Sequence, residues 1–408
     1  MNGSCFSRVS FRDSARAFCV IVAALAMVAC ASQGPRRPPP STAATSLPPR
    51  SDLPSYFRLP TTTPEHTPVR VALLLPFSSG SAETRALANA IEKSAELALF
   101  DSSNSDILLM PRDDGGTTGG AAAAANRAIA EGAEIILGPI FAQSVAVVGP
   151  IARQQGVPVI AFSSDRSVAG QGVYLLSFQP EDEVRRIVTY AARHGHTQFA
   201  AMVPQNAYGE KAAAAFQRAT AEAGARITSL QTFPPKPEEV AAPSAAVAAT
   251  KPDAILIAQG GVVLRSIAPT LALNGATNRN VKFLGTGLWD DTSIMREPML
   301  AGGWFAAPSL DGEHSFAEKY RSVYGAPPPR LGSLGYDAVS LVALLAKGAP
   351  YQRYTPAALT DPNGFSGVDG IFRFHEDGSA ERGLAIMEVQ PNGFVVVAPA
   401  PSTFQAGS

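Results

Sequence analysis

From Val69 onward, short apolar runs alternate with longer Ala-rich segments that have the spacing of amphipathic helices. The runs are VRVALLLP, DILLMP, AEIILGP, VPVIAF, FAAMVP, DAILIAQG, VKFLGTG and GWFAAP. Continuous apolar runs of this kind predict strands of a parallel sheet buried on both faces. The segments between them include ETRALANAIEKSAELALF, GAAAAANRAIAEGA, SVAVVGPIARQQG, EDEVRRIVTYAARHG, YGEKAAAAFQRATAEAG and LRSIAPTLALNG. Several end in Gly before the next strand, the expected stop signal of a helix. Strand, helix and strand recurring at intervals of roughly 25 residues predict right-handed βαβ units.

Strand starts near residues 69, 107, 134 and 157 form one group, and those near 199, 226, 254 and 282 form a second. The expected class is therefore α/β, with two doubly wound parallel-sheet lobes. After Pro308, SFAEKYRSVYG and GYDAVSLVALLAKG predict two more helices. FSGVDGIFRFHEDGSAERGLAIMEVQ then reads as a β hairpin turning at Asp377-Gly378.

The ends of the chain have other textures. Arg8, Arg12 and Arg16 precede FCVIVAALAMVA and Cys30. That apolar segment is too short for a hydrocarbon core of about 30 Å, so it reads as an export signal. AMVAC resembles a bacterial lipobox, with small residues before a cysteine that becomes lipidated; an ordinary signal peptide is the other reading. Residues 1–29 are thus expected to be a lipoprotein signal peptide. Residues 30–68, rich in Pro, Ser and Thr, predict a disordered tether with a reach on the order of 100 Å. Residues 399–408 read as a flexible tail.

Composition narrows the function classes. The chain of 408 residues is 46% hydrophobic and 16% charged, enough apolar content for two domain cores. Its formal net charge is −1, or −3 once residues 1–29 are removed, and the basic residues are scattered, which argues against nucleic acid as a partner. All three cysteines, Cys5, Cys19 and Cys30, lie in the first thirty residues, so the folded part must hold without disulfides or thiolate ligands.

No GxSxG elbow, P-loop, HExxH or CxxC occurs. Ser333, in the near-miss LGSLG, reads as structural, and His194 and His196 sit at a helix end, where a histidine complements the helix dipole. DDGG at 113–116 reads as a cap or a cleft border, with a cation site as the alternative. No catalytic constellation emerges, and neither an enzyme nor a cofactor or metal is expected.

What remains is a set of loops at the C-terminal ends of strands, where doubly wound sheets bind ligands. They carry Phe77, Ser78 and Ser79; Phe141, Ala142 and Gln143; Ser163, Ser164 and Asp165; and Asn206, Ala207 and Tyr208. Each polar residue could instead cap its own helix.

VALLLPFSSG, ILGPIFAQSVAVVGPIARQQGVPVIAFSS, AYGEKAAAAF and FLGTG together resemble the type I periplasmic binding fold, and specifically the leucine-binding-protein domain family. The resemblance covers about residues 69 to 395. It implies two lobes joined by a three-strand hinge, with a small polar ligand bound between them. The crossovers are expected near Ser177–Pro180, Phe305–Pro308 and Ala349–Thr355. Lobe 1 would comprise 69–178 plus 307–350, and lobe 2 would comprise 179–306 plus 351–398.

Amino-acid binders of this family hold the ligand carboxylate with a Ser and a Thr and its ammonium with an acidic residue. Here those positions are Ala142, Asp165 and Gly287. A carboxylate at Asp165 would repel a ligand carboxylate by about 4 kcal/mol at 4 Å and an effective dielectric near 20. The family's aromatic in the second lobe is matched by Tyr208.

LGPIFAQSV, AFSSDRSVAGQGVYLLSFQPEDEVRRIVTYA and GVDGIFRF are also similar to strings in Gram-negative lipoproteins described as penicillin-binding protein activators. That resemblance implies a regulator of a peptidoglycan synthase, with a bifunctional penicillin-binding protein as partner. The chain would sit in the periplasm, anchored through Cys30 to a membrane, preferably the outer one. The alternative is the substrate-binding component of an ABC importer for amino acids or related small polar solutes.

Overall fold

The computed structural model describes residues 55–60, 67–103, 106–308 and 310–404. The expected leader, Cys30 and most of the tether lie outside them.

VRVALLL forms β1 (Val69–Leu75), and its side chains alternate between two buried faces. Val69, Val71, Leu73 and Leu75 join one apolar cluster, while Ala72 and Leu74 join another on the opposite side of the sheet. That alternation is the period of a strand covered on both faces. β2 (Ile107–Asp113), β3 (Ile135–Leu137), β4 (Val159–Ala161) and β5 (Val173–Leu175) complete a five-stranded parallel sheet in the order β2-β1-β3-β4-β5. β5 is a three-residue run too brief to stand out in the sequence.

One face of this sheet is covered by α1 (Ala82–Ser102) and, from far along the chain, α9 (Ser333–Leu345). Ile91, Ala95 and Ala98 meet Leu334, Ala338 and Val342 there. The other face is covered by α2 (Thr118–Ala130) and α3 (Ala142–Gln154). α1 starts on Ser81, whose Oγ accepts from the Thr84 amide, and α2 starts on Thr117 in the same way.

The second sheet has seven strands in the order β15-β14-β10-β9-β8-β6-β7. β6 (Gln198–Pro204), β7 (Arg226–Phe233), β8 (Ala254–Ile257), β9 (Lys282–Gly285) and β10 (Trp304–Ala307) run parallel. β14 (Ala385–Gln390) and β15 (Gly393–Ala398) are antiparallel additions, so this lobe is mixed rather than purely parallel. Its faces are covered by α4 (Pro180–Arg193) with α5 (Ala207–Glu222), and by α6 (Ala241–Ala249) with α7 (Gly261–Leu273). α8 (Leu310–Tyr324) packs Phe316 and Tyr320 beside Leu97 of α1, on the first lobe.

The chain passes from the first sheet to the second between Leu175 and Pro180 and returns between Ala307 and Leu310. It passes over again between Arg382 and Ala385. That last passage corrects the expectation of a crossover at Ala349–Thr355: of the 351–398 expected in lobe 2, only Ala385–Ala398 joins the second sheet. The reason is aromatic packing: β11 (Phe365–Gly367), β12 (Gly370–Phe374) and β13 (Ala380–Arg382) form a small antiparallel sheet. Phe365, Phe372 and Phe374 bury in the first lobe's core together with Tyr354 and Leu359. The turn at Gly378 (φ +80°) lies against the edge of β5, where the Leu175 amide donates to the Gly378 carbonyl at 2.9 Å.

Two edges of the expected disorder are also corrected. Phe57 exchanges both backbone hydrogen bonds with Leu109 on the outer edge of β2, and Leu59 is buried. At the other end, the Phe404 ring lies 4.6 Å from the Arg373 guanidinium, so residues 399–404 fold back on β12.

Candidate functional site

The loops after β1, β2, β3 and β4 meet at the C-terminal edge of the first sheet. Pro76, Phe77 and Ser78 leave β1, and the Ser78 amide donates to Asp113 Oδ1 at 3.1 Å. Gly115 and Gly116 turn through left-handed backbone (φ +61° and +70°), which a side chain would strain. A Cβ at Gly116 would stand 3.3 Å from the Phe141 ring and 3.4 Å from Pro76, so these three loops are in contact. The Phe162 amide donates to Pro139 O at 2.9 Å and ties in the fourth.

The predicted residues divide by position. The Phe77 side chain belongs to the lobe core. Ser78 is buried, Ser79 half-buried, and the Ser79 carbonyl accepts from Arg85 at 2.6 Å. Phe141 is the residue before α3, Ala142 and Gln143 begin that helix, and Gln143 is exposed. Ser163 is buried, and its Oγ accepts from the Asp165 amide at 3.1 Å.

Asp165 caps a short 3-10 turn, accepting from the Ser167 amide (3.1 Å) and hydroxyl (2.8 Å). It also faces Lys211 of α5, Nζ to Oδ1 3.5 Å, and the same ammonium donates to the Ser164 carbonyl at 3.2 Å. The Ser167 hydrogen bonds, with Lys211 adding to them, hold the Asp165 carboxyl below its usual range. Its neighbour Arg166 reaches Asp182 of α4 at 2.9 Å. Both ion pairs join the first lobe to the second across one rim of the cleft.

On the second lobe, Asn206 caps α5 by accepting from the Gly209 amide at 2.9 Å. Tyr208 OH and Thr286 Oγ1 are 2.7 Å apart, and burial raises the Tyr208 pKa. Gly287 donates its amide to Glu183 Oε2 at 3.1 Å, and a Cβ there would lie 2.6 Å from Glu183 Oε1. The space beside Gly287, where the resemblance led to the expectation of an acid, is therefore occupied by a carboxylate from a different element, the first turn of α4.

Glu183 is buried, and desolvation pushes its pKa up to about 7 against the pull of the Gly287 amide and the Arg330 charge. Arg330, in the turn before α9, ion-pairs with Asp369 (3.1 Å) and approaches Asp290 of the second lobe (4.0 Å). Its guanidinium stacks 3.9 Å from the Phe178 ring centroid, and Arg382 covers the same ring at 4.7 Å. Asp114, in the DDGG loop, is buried with Oδ1 on the Gly116 amide, and desolvation lifts its pKa to about 7.

Glu183, Arg330, Asp290 and Lys211 escaped sequence reasoning, whereas Asp114 falls in the DDGG motif read as a cap or cleft border. Glu183 lies in PEDEV immediately after the first crossover, the signal that could have marked it. Ser333 only begins α9 and donates to Arg330 O. His194 contacts Tyr190 O, while His196 faces Asp253. Among the described residues no group of three or more His, Cys, Asp or Glu could hold a metal ion.

Two α/β lobes, three connecting passages, and polar loops facing each other across the gap define a two-lobed binding protein of the periplasmic type. Residues 68–393 match the model of the periplasmic binding protein family, and the chain belongs to that family. Membership implies a periplasmic location.

The chain is similar in fold to a candidate branched-chain amino acid ABC transporter protein of Rhodospirillum rubrum (TM-score 0.72, 19% identity, 81% of this chain and 100% of that one). It is similar as well to a Thermotoga maritima leucine binding protein (TM-score 0.59, 21% identity, 81% and 98%). A third is an R. palustris solute binding protein in complex with benzoate (TM-score 0.59, 20% identity, 82% and 98%). An uncharacterized Rickettsia prowazekii protein is 21% identical over 115 residues, which span 28% of this chain and 31% of that protein.

Proposed function

We propose that the protein is a non-catalytic, lipid-anchored periplasmic regulator that acts through protein contact, with a peptidoglycan synthase of the penicillin-binding type as its partner. The observation that carries this reading is the use of cleft side chains for the protein's own cross-lobe links. Lys211 engages Asp165 and the Ser164 carbonyl, and Arg166 engages Asp182, along the wall where amino-acid receptors of the family present hydroxyls to a ligand. An α-carboxylate entering there would meet Asp165 and would have to displace Lys211 from it. The sequence strings shared with penicillin-binding protein activators support the same reading. Anchoring at Cys30, preferably to the outer membrane, is part of the proposal.

A second reading, the substrate-binding component of an ABC importer, draws support from the solved structures, two of whose names specify an ABC transporter and one leucine binding. Ser78, Ser79, Phe141, Ala142, Gln143, Ser163, Ser164, Asp165, Tyr208 and Gly287 would then face the solute, with Phe77 behind them. The two readings separate in one pair of measurements on the purified protein. The regulatory reading expects no change in melting temperature with leucine, isoleucine or valine, and stimulation of a bifunctional penicillin-binding protein's glycan polymerisation. A rise of several degrees with any of the three, without stimulation, reverses the choice.

A further inference from the structure

Beyond the rim pair of Arg166 and Asp182, whose Asp182 it shares, a pocket of about 570 Å³ lies between α4 and the segment that follows β15. That is the size of a small-molecule site. α4 supplies Arg186, Thr189 and Arg193, which at i, i+3 and i+7 form one stripe two turns long. The opposite wall is apolar, made by Pro399, Pro401 and Phe404.

The charges are unevenly matched. The two acids at the pocket are already engaged: Asp182 with Arg166 and Arg185, and Glu381 with Arg373 and Arg185. Among the described residues, neither Arg186 nor Arg193 enters an ion pair. Arg186 donates Nε to the Leu384 carbonyl at 3.0 Å, which leaves the terminal nitrogens of its fork for something else. Half-burial, together with repulsion from Arg193, lowers the Arg186 pKa, so the two cations oppose each other with no acid between them. Two guanidinium forks and a hydroxyl on one stripe suit the oxygens of a phosphate or carboxylate.

We propose that this pocket is a second binding site, separate from the inter-lobe cleft, for a small amphipathic anion. Arg186, Thr189 and Arg193 hold its phosphate or carboxylate, and its apolar part lies against Pro399, Pro401 and Phe404. The pocket is built from both lobes, since α4 belongs to the second while Glu381 and the Arg373 that holds Phe404 belong to the first.

The test is calorimetric titration of the full protein with phenyl phosphate and, separately, phenylacetate at constant ionic strength. Saturable binding of either is expected, weakened at least tenfold in Arg186→Gln and in Arg193→Gln and unchanged in Arg279→Gln, an exposed cation outside the pocket. Phenyl phosphate alone would assign a phosphate ligand, and phenylacetate alone a carboxylate. Arg193 is exposed at the end of its helix, so the variant should fold, and relief of repulsion should raise its melting temperature without ligand. Wild type that binds neither probe more tightly than about 1 mM, or binds them as Arg193→Gln does, overturns the site.

Discussion

Glu183 is a buried acid whose cost depends on pH. Its pKa rises from 4.5 to about 7 on folding, so the native state holds a proton that the unfolded chain has released over that interval. A group of this kind lowers stability as pH climbs from 4.5 toward 7 and costs its full amount above that. The full cost is on the order of 3 kcal/mol. Glu183→Gln keeps an acceptor for the Gly287 amide and removes the charge. Chemical denaturation at pH 5 and pH 8 should therefore show the variant gaining stability over wild type only at pH 8. An equal difference at both pH values would mean that burial of this carboxylate is not the cause. Asp114, raised to about 7 by burial, and Asp337, raised by burial and by the nearby Asp369 charge, push the wild-type profile the same way.

At this scale the site was only partly legible. The family's residue pattern marks Gly287 as lacking an acid, yet the fold brings Glu183 to the same spot from another helix, a substitution in space that spacing along the chain does not encode. Asp165 was conspicuous in the sequence, but its partner Lys211 lies on the other lobe.

Among the elements, the contact of α9 on α1 is set by a close approach of backbones. A Cβ added at Gly335 would lie 2.2 Å from the Ile91 carbonyl oxygen, a clash that side-chain motion cannot relieve. Gly335→Ala should force the helices apart and cost about 1–3 kcal/mol, read as a lower denaturation midpoint with an unchanged slope. No loss of stability would mean that the two helices separate freely. The strands and most helices were readable because their apolar periods are long and clean, as in VRVALLL, whose alternating residues fill clusters on both sides of the sheet. The hairpin of β12 and β13 was readable from its Asp-Gly turn. Its allegiance to the first lobe was not, because the destination of Phe365, Phe372 and Phe374 depends on which sheet lies nearest after folding.

For the whole molecule, two ion pairs at the cleft rim, Lys211 with Asp165 and Arg166 with Asp182, link one lobe to the other. Lys211–Asp165 is partly exposed, and a pair of that sort is worth about 1 kcal/mol or less and weakens with salt, whereas Asp182 is buried and its pair is screened less. Lys211→Met combined with Arg166→Met should therefore leave each lobe intact and open the pair. Small-angle scattering in low salt should record a larger radius of gyration than wild type, and the difference should shrink in high salt as wild type opens too. Equal radii at both salt concentrations would show that the hinge itself fixes the angle.

Phe57 gives this hinge a mechanical direction. By clasping the rim of β2 it rivets the leading segment of the chain to the first lobe before the first long strand begins. A pull arriving along that segment is taken up as shear by the clasp, whose two backbone hydrogen bonds must break together, and it bypasses the hinge. The first lobe then serves as the fixed jaw, and only the second is left to swing.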